Sequence, residues 1–180
     1  MRLNENMSIP IQTICRSIGI DPGSRFTGYG IVESEGSRLR HITNGTIRLP
    51  AGVAFPERLR IIYEELRTVI EEGKPGSMAV EDVFFAKNVK SALRLGQARG
   101  AAILAGVNSG LAVFEYSALE IKQAVVGYGR AGKDQVTEMV QRLFRLNESL
   151  NPNAADALAA AICHLNSRAS RAIWEASKRA

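Results

Sequence analysis

The sequence predicts an α/β fold: a mixed five-stranded sheet, three antiparallel strands and then parallel strands, with helices on both faces. Two observations carry this prediction. The predicted elements follow the order three strands, helix, strand, helix, strand, helices, and tight turns separate the early strands. Early hairpins imply antiparallel pairing, whereas strand–helix–strand units imply parallel neighbours. The 180 residues, 46% of them hydrophobic, suffice for one compact domain with a core.

The first three strands are predicted from short apolar runs bounded by turn residues. Ile14–Ile20 forms a strand that ends at Asp21. Gly28–Glu33 and Arg38–Leu49 form two more, joined by a turn near Glu35-Gly36. These strands supply the antiparallel half of the sheet.

The middle of the chain alternates between helix and strand. Glu57–Glu72 has apolar residues at helical spacing, and Gly73 followed by Pro75 ends that helix. Met78–Phe84 is the next strand, and Asn88–Val107 is a long helix. These elements form the first parallel crossover of the predicted sheet.

The last third contains one strand and three helices. Leu111–Tyr116 is the strand, and Ser117 with Glu120 forms a capping box that opens a short helix to Val126. Two further helices are predicted; their ranges are Gln135–Leu146 and Ala154–Leu165. We expect residues 1–17 to be an N-terminal extension with the start of the first strand, residues 18–166 the folded domain, and residues 167–180 a polar tail.

The charge distribution suggests a polyanionic partner. The chain has a net charge of +5, and the stretch from Ala86 to Lys133 alone has seven basic and two acidic residues. A localised basic surface favours nucleic acid, although a solvated face of a mildly basic protein would also explain it. The basic residues of this stretch are Lys87, Lys90, Arg94, Arg99, Lys122, Arg130 and Lys133.

The sequence contains no signal for a membrane or an oxidising compartment. No apolar run approaches the ~20 residues needed to cross a bilayer, and the start lacks the apolar segment of a signal peptide. Cys15 and Cys163 lack metal-site spacing and are expected to be free thiols. We therefore expect a cytoplasmic protein.

Three acidic residues occupy the ends of predicted elements. Asp21 ends the first strand before Pro-Gly, Glu81 lies inside a strand, and Asp156 lies in the first turn of the last helix. Each has an ordinary explanation: an Asx-type turn for Asp21, a solvent-facing strand position for Glu81, and a helix start capped by Asn153 for Asp156. By strand alternation, Asp82 points away from the face of Glu81.

The combination of these acids indicates more than each one alone. The only histidines are His41 and His164, and neither a P-loop nor G-x-G-x-x-G is present. A basic protein with scattered carboxylates and no other catalytic machinery fits Mg²⁺ chemistry on phosphate. Two such ions ~3.5–4 Å apart activate a water and stabilise the leaving oxygen.

These residues resemble the motifs of the RuvC family of Holliday-junction resolvases, in matching order and spacing from about Ile18 to His164. The matching segments are Ile18–Arg25, Thr27–Gly30, Glu81–Asn88, Ser91–Gly100, Lys122–Gly127 and Ala154–Ala159. The resemblance implies an RNase H-like fold, a homodimer, paired nicks across a four-way DNA junction in recombination and repair, and a branch-migration helicase partner of the RuvA and RuvB type. We expect the dimer interface on the helix Asn88–Val107, which contains small residues.

In that family four side chains bind two divalent ions, Mg²⁺ with Mn²⁺ as a substitute. Asp21, Glu81 and Asp156 match three of these ligands. The fourth position is Asn153, where the family usually has Asp and sometimes His. An amide is a neutral, weak ligand and cannot act as a base, so we expect a chain that binds junctions well and cuts them poorly. Natural divergence and an inactivating substitution both remain open as its origin.

The resemblance also assigns roles to basic and aromatic residues. Lys122 and Lys133 match family lysines that contact DNA or stabilise the transition state at the phosphate. Phe84 resembles an aromatic residue that stacks on an unpaired base at the junction centre, where a stack contributes roughly 1–3 kcal/mol. Core packing remains the alternative for Phe84 and more so for Phe85.

Two other functions share features of this sequence. Strand–Asp–x–Gly turns also begin sugar kinases and Hsp70-like ATPases, but those need two lobes and a second phosphate loop that this chain lacks. The other rival is a non-catalytic junction-binding protein of the same fold, which Asn153 alone supports.

Overall fold

The predicted strand and helix order is present in the computed structural model, which describes residues 14–82 and 88–177, with side chains as far as residue 168. Phe84 and Lys87 lie outside the described residues. The elements are β1 (Ile14–Asp21), β2 (Phe26–Glu35), β3 (Arg38–Arg48), α1 (Phe55–Gly73), β4 (Ser77–Asp82), α2 (Val89–Asn108), β5 (Ala112–Ser117), α3 (Ala118–Val126), α4 (Lys133–Phe144) and α5 (Pro152–Ser177).

The five strands form one mixed sheet in the order β3-β2-β1-β4-β5. β1 pairs antiparallel with β2, and β2 with β3, whereas β1–β4 and β4–β5 are parallel. This confirms the predicted sheet. The parallel neighbours bring the carboxyl ends of β1, β4 and β5 to the same edge of the sheet.

Side chains alternate between two hydrophobic layers because successive strand residues point to opposite faces. On one face Ile18, Ile20 and Val80 pack with residues of α1 and α2. On the other face Ala79 and Tyr116 pack with α4 and α5. Each face is therefore covered by helices, and a strand residue's position in the alternation decides which helices it meets.

Local signals in the sequence explain several element ends. The backbone N–H of Ser117 donates to Glu120 Oε2 at 2.8 Å, and Glu120 N–H donates to Ser117 Oγ at 3.3 Å, which confirms the predicted capping box of α3. α1 ends at Gly73 as predicted, and Lys74 follows in the left-handed region with φ 48°.

The last helix departs from the sequence prediction at both ends. α5 begins at Pro152 rather than Ala154 and continues to Ser177. Residues 167–177, part of the stretch expected to be a polar tail, are therefore helical. Within the part of the chain that the structure describes, no helix is both long and apolar enough to cross a bilayer.

Candidate active site

The strand register brings two of the three predicted acids side by side. Ile20 of β1 is the partner of Val80 of β4, so the next residues, Asp21 and Glu81, are neighbours at the carboxyl ends of these strands. Both follow residues that face α1 and α2, and alternation turns both side chains towards the face covered by α5.

Two glycines allow the third acid to approach. A Cβ built on Gly19 would lie 1.9 Å from the carbonyl oxygen of Ala157, and one on Gly28 would lie 2.0 Å from the carbonyl oxygen of Asn153. Only glycine therefore permits the backbone of α5 to lie so close to β1 and β2. This contact places the first turn of α5, with Asp156, against the end of the strand that carries Asp21.

The start of α5 corrects the predicted cap. Asn151, not Asn153, precedes the helix, and its side-chain oxygen accepts from the backbone N–H of Asn153 at 3.0 Å. Pro152 occupies the first helical position, which needs no N–H donor. Asn153 is the second helical residue, and its amide nitrogen donates to the side-chain oxygen of Asn151 at 3.2 Å. Asn153 and Asp156 remain on one side of the first turns.

Burial and neighbouring charges raise the pKa of two of these acids, Asp21 and Glu81. Burial raises the pKa of Asp21 to about 7, with further contributions from the charges of Asp156 and Glu81. Burial and the charge of Asp156 also raise the pKa of Glu81, against the opposing effects of Lys133 and Lys122. The three acids therefore share one electrostatic site in which their negative charge is not fully balanced.

Two lysines border this site. Lys133, the first residue of α4, donates from Nζ to Asp156 Oδ2 at 2.9 Å, and this hydrogen bond raises the lysine's pKa. Lys122 of α3 is half-buried and lines a small cavity together with Glu81, Lys133 and Asp156. Its charge lowers the pKa of Glu81. The predicted placement of both lysines beside the acids agrees with this geometry.

The donor chemistry suits a divalent cation, although the side chains are not closed around one. Three carboxylates in mutual repulsion offer the oxygen ligands that Mg²⁺ prefers, and a cation would offset the cost of charging them. Within the described residues, however, no three His, Cys, Asp or Glu side chains are arranged so as to hold a metal ion. Instead the ammonium of Lys133 balances Asp156. The metal-ligand roles of Asp21, Glu81, Asp156 and Asn153 stay predictions.

The other predicted DNA-binding residues divide into two groups. Lys90 and Arg130 are exposed, and Arg94 is exposed with its guanidinium 5.4 Å from the centre of the Phe55 ring. Arg99 is different, since it forms ion pairs with Glu115 at 2.5 Å and Asp82 at 3.7 Å. These partners are not predictable from local sequence patterns, because they depend on how α2 crosses the sheet.

Comparison with known proteins identifies the same family that the sequence motifs resemble. Residues 17–164 match the family described as crossover junction endodeoxyribonuclease RuvC. Curated relatives with that name include one from Trichlorobacter lovleyi, 58% identical over 84% of this chain and 85% of the relative. Another, from Geobacter sulfurreducens, is 56% identical over 88% of this chain and 96% of the relative.

Solved structures share the fold. T. thermophilus RuvC in complex with Holliday junction substrate superposes with a TM-score of 0.78 and 32% identity, over 84% of this chain and 93% of that one. The yeast mitochondrial Holliday junction resolvase superposes with a TM-score of 0.62 at 15% identity, over 86% and 79% of the two chains, and supports the fold alone. These likenesses confirm the predicted RNase H-like fold.

Proposed function

Since the chain belongs to the RuvC family of crossover junction endodeoxyribonucleases, we propose that it resolves four-way DNA junctions by paired, symmetric nicks at the site of Asp21, Glu81 and Asp156. The observation that carries this proposal is the convergence of these carboxylates on one electrostatic site bordered by two lysines. The complexed T. thermophilus relative is named for the same substrate.

RuvC resolvases are metal-dependent nucleases, and we propose Asp21, Glu81, Asp156 and Asn153 as the ligands of two Mg²⁺ ions, with Mn²⁺ as a substitute. Bound there, the ions would supply an activated water and stabilisation of the leaving 3′ oxygen. The chain's own contribution is the placement of the ligands. β1 and β4 hold two of them in register, and α5 presents the others from its first turns.

Lys133 and Lys122 serve the phosphate in this proposal. Cation binding to Asp156 would release Lys133 from its 2.9 Å hydrogen bond and leave the ammonium free for a phosphate oxygen of the substrate. Lys122 lines the same cavity, together with Glu81. Two ammonium groups at this position offset the charge that develops on the phosphate in the transition state.

DNA outside the cleavage point would be bound by the exposed basic residues of α2 and of the segment before α4. Lys90, Arg94 and Arg130 are exposed. Each phosphate that they neutralise makes the slope of log binding constant against log salt concentration steeper by about 0.9. For Lys87 and the stacking residue Phe84, the sequence remains the support for a DNA-contacting role.

The helix α2 is the proposed dimer interface. Its apolar side chains Val89, Leu93, Leu104 and Val107 are between 51% and 77% exposed and recur along one side of the helix. Gly96 and Gly100 have nothing within 4 Å of a built Cβ, so a second copy of α2 would meet a surface without side chains there. A two-fold dimer would present two active sites for the two symmetric cuts.

We propose that the protein acts in the cytoplasm. We also propose a helicase complex of the RuvA and RuvB type as a further partner.

Cleavage of a labelled four-way junction in Mg²⁺ tests the proposal directly. We expect slow, paired nicks that EDTA and Asp21→Asn abolish, while Glu138→Gln, on the exposed side of α4, leaves the rate unchanged. Junction DNA should bind more tightly than duplex of equal length at moderate salt. Equal affinity for both would overturn junction specificity.

The alternative, a non-catalytic junction-binding protein, is favoured by Asn153 alone. Tight junction binding without cleavage by either this chain or its Asn153→Asp variant would establish that alternative. Cleavage by this chain as it stands would exclude it, and cleavage by the variant alone would attribute the missing activity to Asn153.

A further inference from the structure

Arg99 of α2 contacts the carboxyl ends of β4 and β5. It does so from the face of the sheet opposite the carboxylates of the candidate site. Its Nε donates to the backbone carbonyl oxygen of Glu81 at 3.4 Å. Its Nη2 forms ion pairs with Glu115 Oε2 at 2.5 Å and with Asp82 Oδ1 at 3.7 Å. The side chain is 19% exposed, so most of it is buried between α2 and the strand ends.

Strand alternation explains why one arginine meets these groups. Asp82 follows Glu81 and therefore points to the face covered by α2. Glu115 is the β5 partner of Val80, which packs on that same face. Arg99 thus joins the ends of β4 and β5, while the Glu81 side chain points through the other face towards Asp21 and Asp156.

We propose that Arg99 is a positioning residue for the cleavage reaction, in which it fixes the end of β4 against β5 and thereby sets the position of the Glu81 carboxylate. This inference rests on the proposed function of the carboxylate site. It replaces the phosphate contact that the sequence suggested for Arg99, because two carboxylates and a carbonyl already engage the guanidinium.

The chemistry of the side chain suits this task. A guanidinium is planar, stays charged and donates in several fixed directions, so it can join a carbonyl and two carboxylates that lie on different strands. A lysine has a single ammonium and cannot span the same set. Outer groups that orient ligands typically contribute 10–100-fold to metal affinity or activity.

Kinetics of Arg99→Gln provide the test, with Arg67→Gln as control. Arg67 is a helical arginine in an exposed ion pair with Glu71, so its loss reproduces the change in charge away from the site. We expect Arg99→Gln to lower kcat for junction cleavage about 10–100-fold, with KM, junction affinity and its salt slope unchanged. Arg99→Lys should recover only part of the rate, and Arg67→Gln should match the parent protein.

Two results would overturn the positioning role. A weaker junction affinity with a shallower salt slope and an unchanged kcat would make Arg99 a phosphate contact. A kcat loss that follows only the fraction of unfolded protein, and that Arg99→Lys restores completely, would make it a structural ion pair.

A readout independent of cleavage separates this inference from the proposed function. The rise in melting temperature as Mn²⁺ is added without DNA gives the Mn²⁺ concentration at half-maximal stabilisation. Arg99→Gln should raise this concentration, the Mn²⁺ midpoint, about tenfold. If neither this chain nor its Asn153→Asp variant cuts a junction, the proposed nuclease function fails while this measurement still judges Arg99. An unchanged Mn²⁺ midpoint would then overturn the positioning role as well.

Discussion

Two acidic regions of the same sheet, one buried and one half-buried, have opposite electrostatics. Near the end of β2, Glu33 is 8% exposed, and it accepts from Arg16 at 2.6 Å and 3.1 Å and from Arg40 at 2.5 Å. Hydrogen bonding from Arg16, followed by the hydrogen bond and the charge of Arg40, lowers the pKa of Glu33. At the carboxyl ends of β1 and β4, burial and neighbouring carboxylates instead raise the pKa of Asp21 to about 7.

The difference is one of charge balance: the charge of Glu33 is balanced by other groups of the fold, whereas that of Asp21 is not. Glu33 has two guanidinium groups, so burying it leaves little charge unbalanced. Asp21 and Glu81 face each other and Asp156, with Lys133 already held by one of the three. Acids arranged in this way destabilise the metal-free fold when ionised, which is the expected cost of a site built to bind cations.

Opposite pKa shifts predict opposite effects of pH on stability, and the largest expected effect is at Asp21. Its folded-state pKa of about 7 exceeds its ordinary 3.8, so its contribution is fully present below pH ~4 and lost as pH rises to about 7. The loss approaches roughly 4 kcal/mol. Metal-free Asp21→Asn should therefore match the parent protein near pH 4 and exceed it at pH 8.

Urea unfolding in EDTA at several pH values measures this difference. If the free energies of unfolding of the parent protein and Asp21→Asn differed by the same amount at every pH from 4 to 8, the negative charge of the site would not be unbalanced. Adding Mn²⁺ at pH 8 should stabilise the parent protein more than the variant.

Asn153→Asp adds a fourth carboxylate to the unbalanced region. We expect cleavage of a four-way junction to rise by about 100-fold, since the new oxygen ligand strengthens cation binding. The helix start should survive, because Asn151 provides the cap and an acid in the first turn favours the helix dipole. Junction affinity measured without metal should stay equal or fall slightly.

Single-turnover cleavage rates with both proteins check this prediction, and the matched Asn151→Asp variant controls for added charge. A rate that Asn153→Asp leaves unchanged would show that another feature limits the chemistry. Equal gains from both substitutions would show a general charge effect rather than a ligand.

Local patterns in the sequence predicted most of the fold because apolar periodicity and turn residues act locally. β1 and β3 begin at the predicted residues. The start of α5 was misplaced because the sequence Asn-Pro-Asn offers two capping residues, and only the preference of proline for the first helical position decides between them. Partners distant along the chain, such as those of Arg99, were missed.

The site was predictable in part. Asp21 and Glu81 follow from strand ends and register, whereas the approach of Asp156 depends on the contact of α5 with Gly19 and Gly28. The environment of Glu33 had a usable signal. Arg16 and Arg40 are its direct cross-strand partners, so the register of the hairpins would have revealed the cluster.

The smallest expected effect concerns Glu33, the balanced acid. Glu33→Gln leaves two guanidinium groups facing a neutral amide, and we expect it to lower the free energy of unfolding at pH 7 by about 1–3 kcal/mol. Because the folded-state pKa of Glu33 is lowered from 4.5, the parent's advantage is present above pH ~4.5 and disappears as pH falls through the lowered value. Cleavage should be unaffected, since Glu33 lies outside the site.

Glu71→Gln, which removes one exposed helical ion pair with Arg67, should change stability by less than about 0.5 kcal/mol. Urea unfolding of the three proteins at pH 7 and pH 3, with junction cleavage alongside, makes the comparison. A Glu33→Gln variant as stable as the Glu71→Gln control, or one with impaired cleavage, would remove the distinction between the two acidic regions.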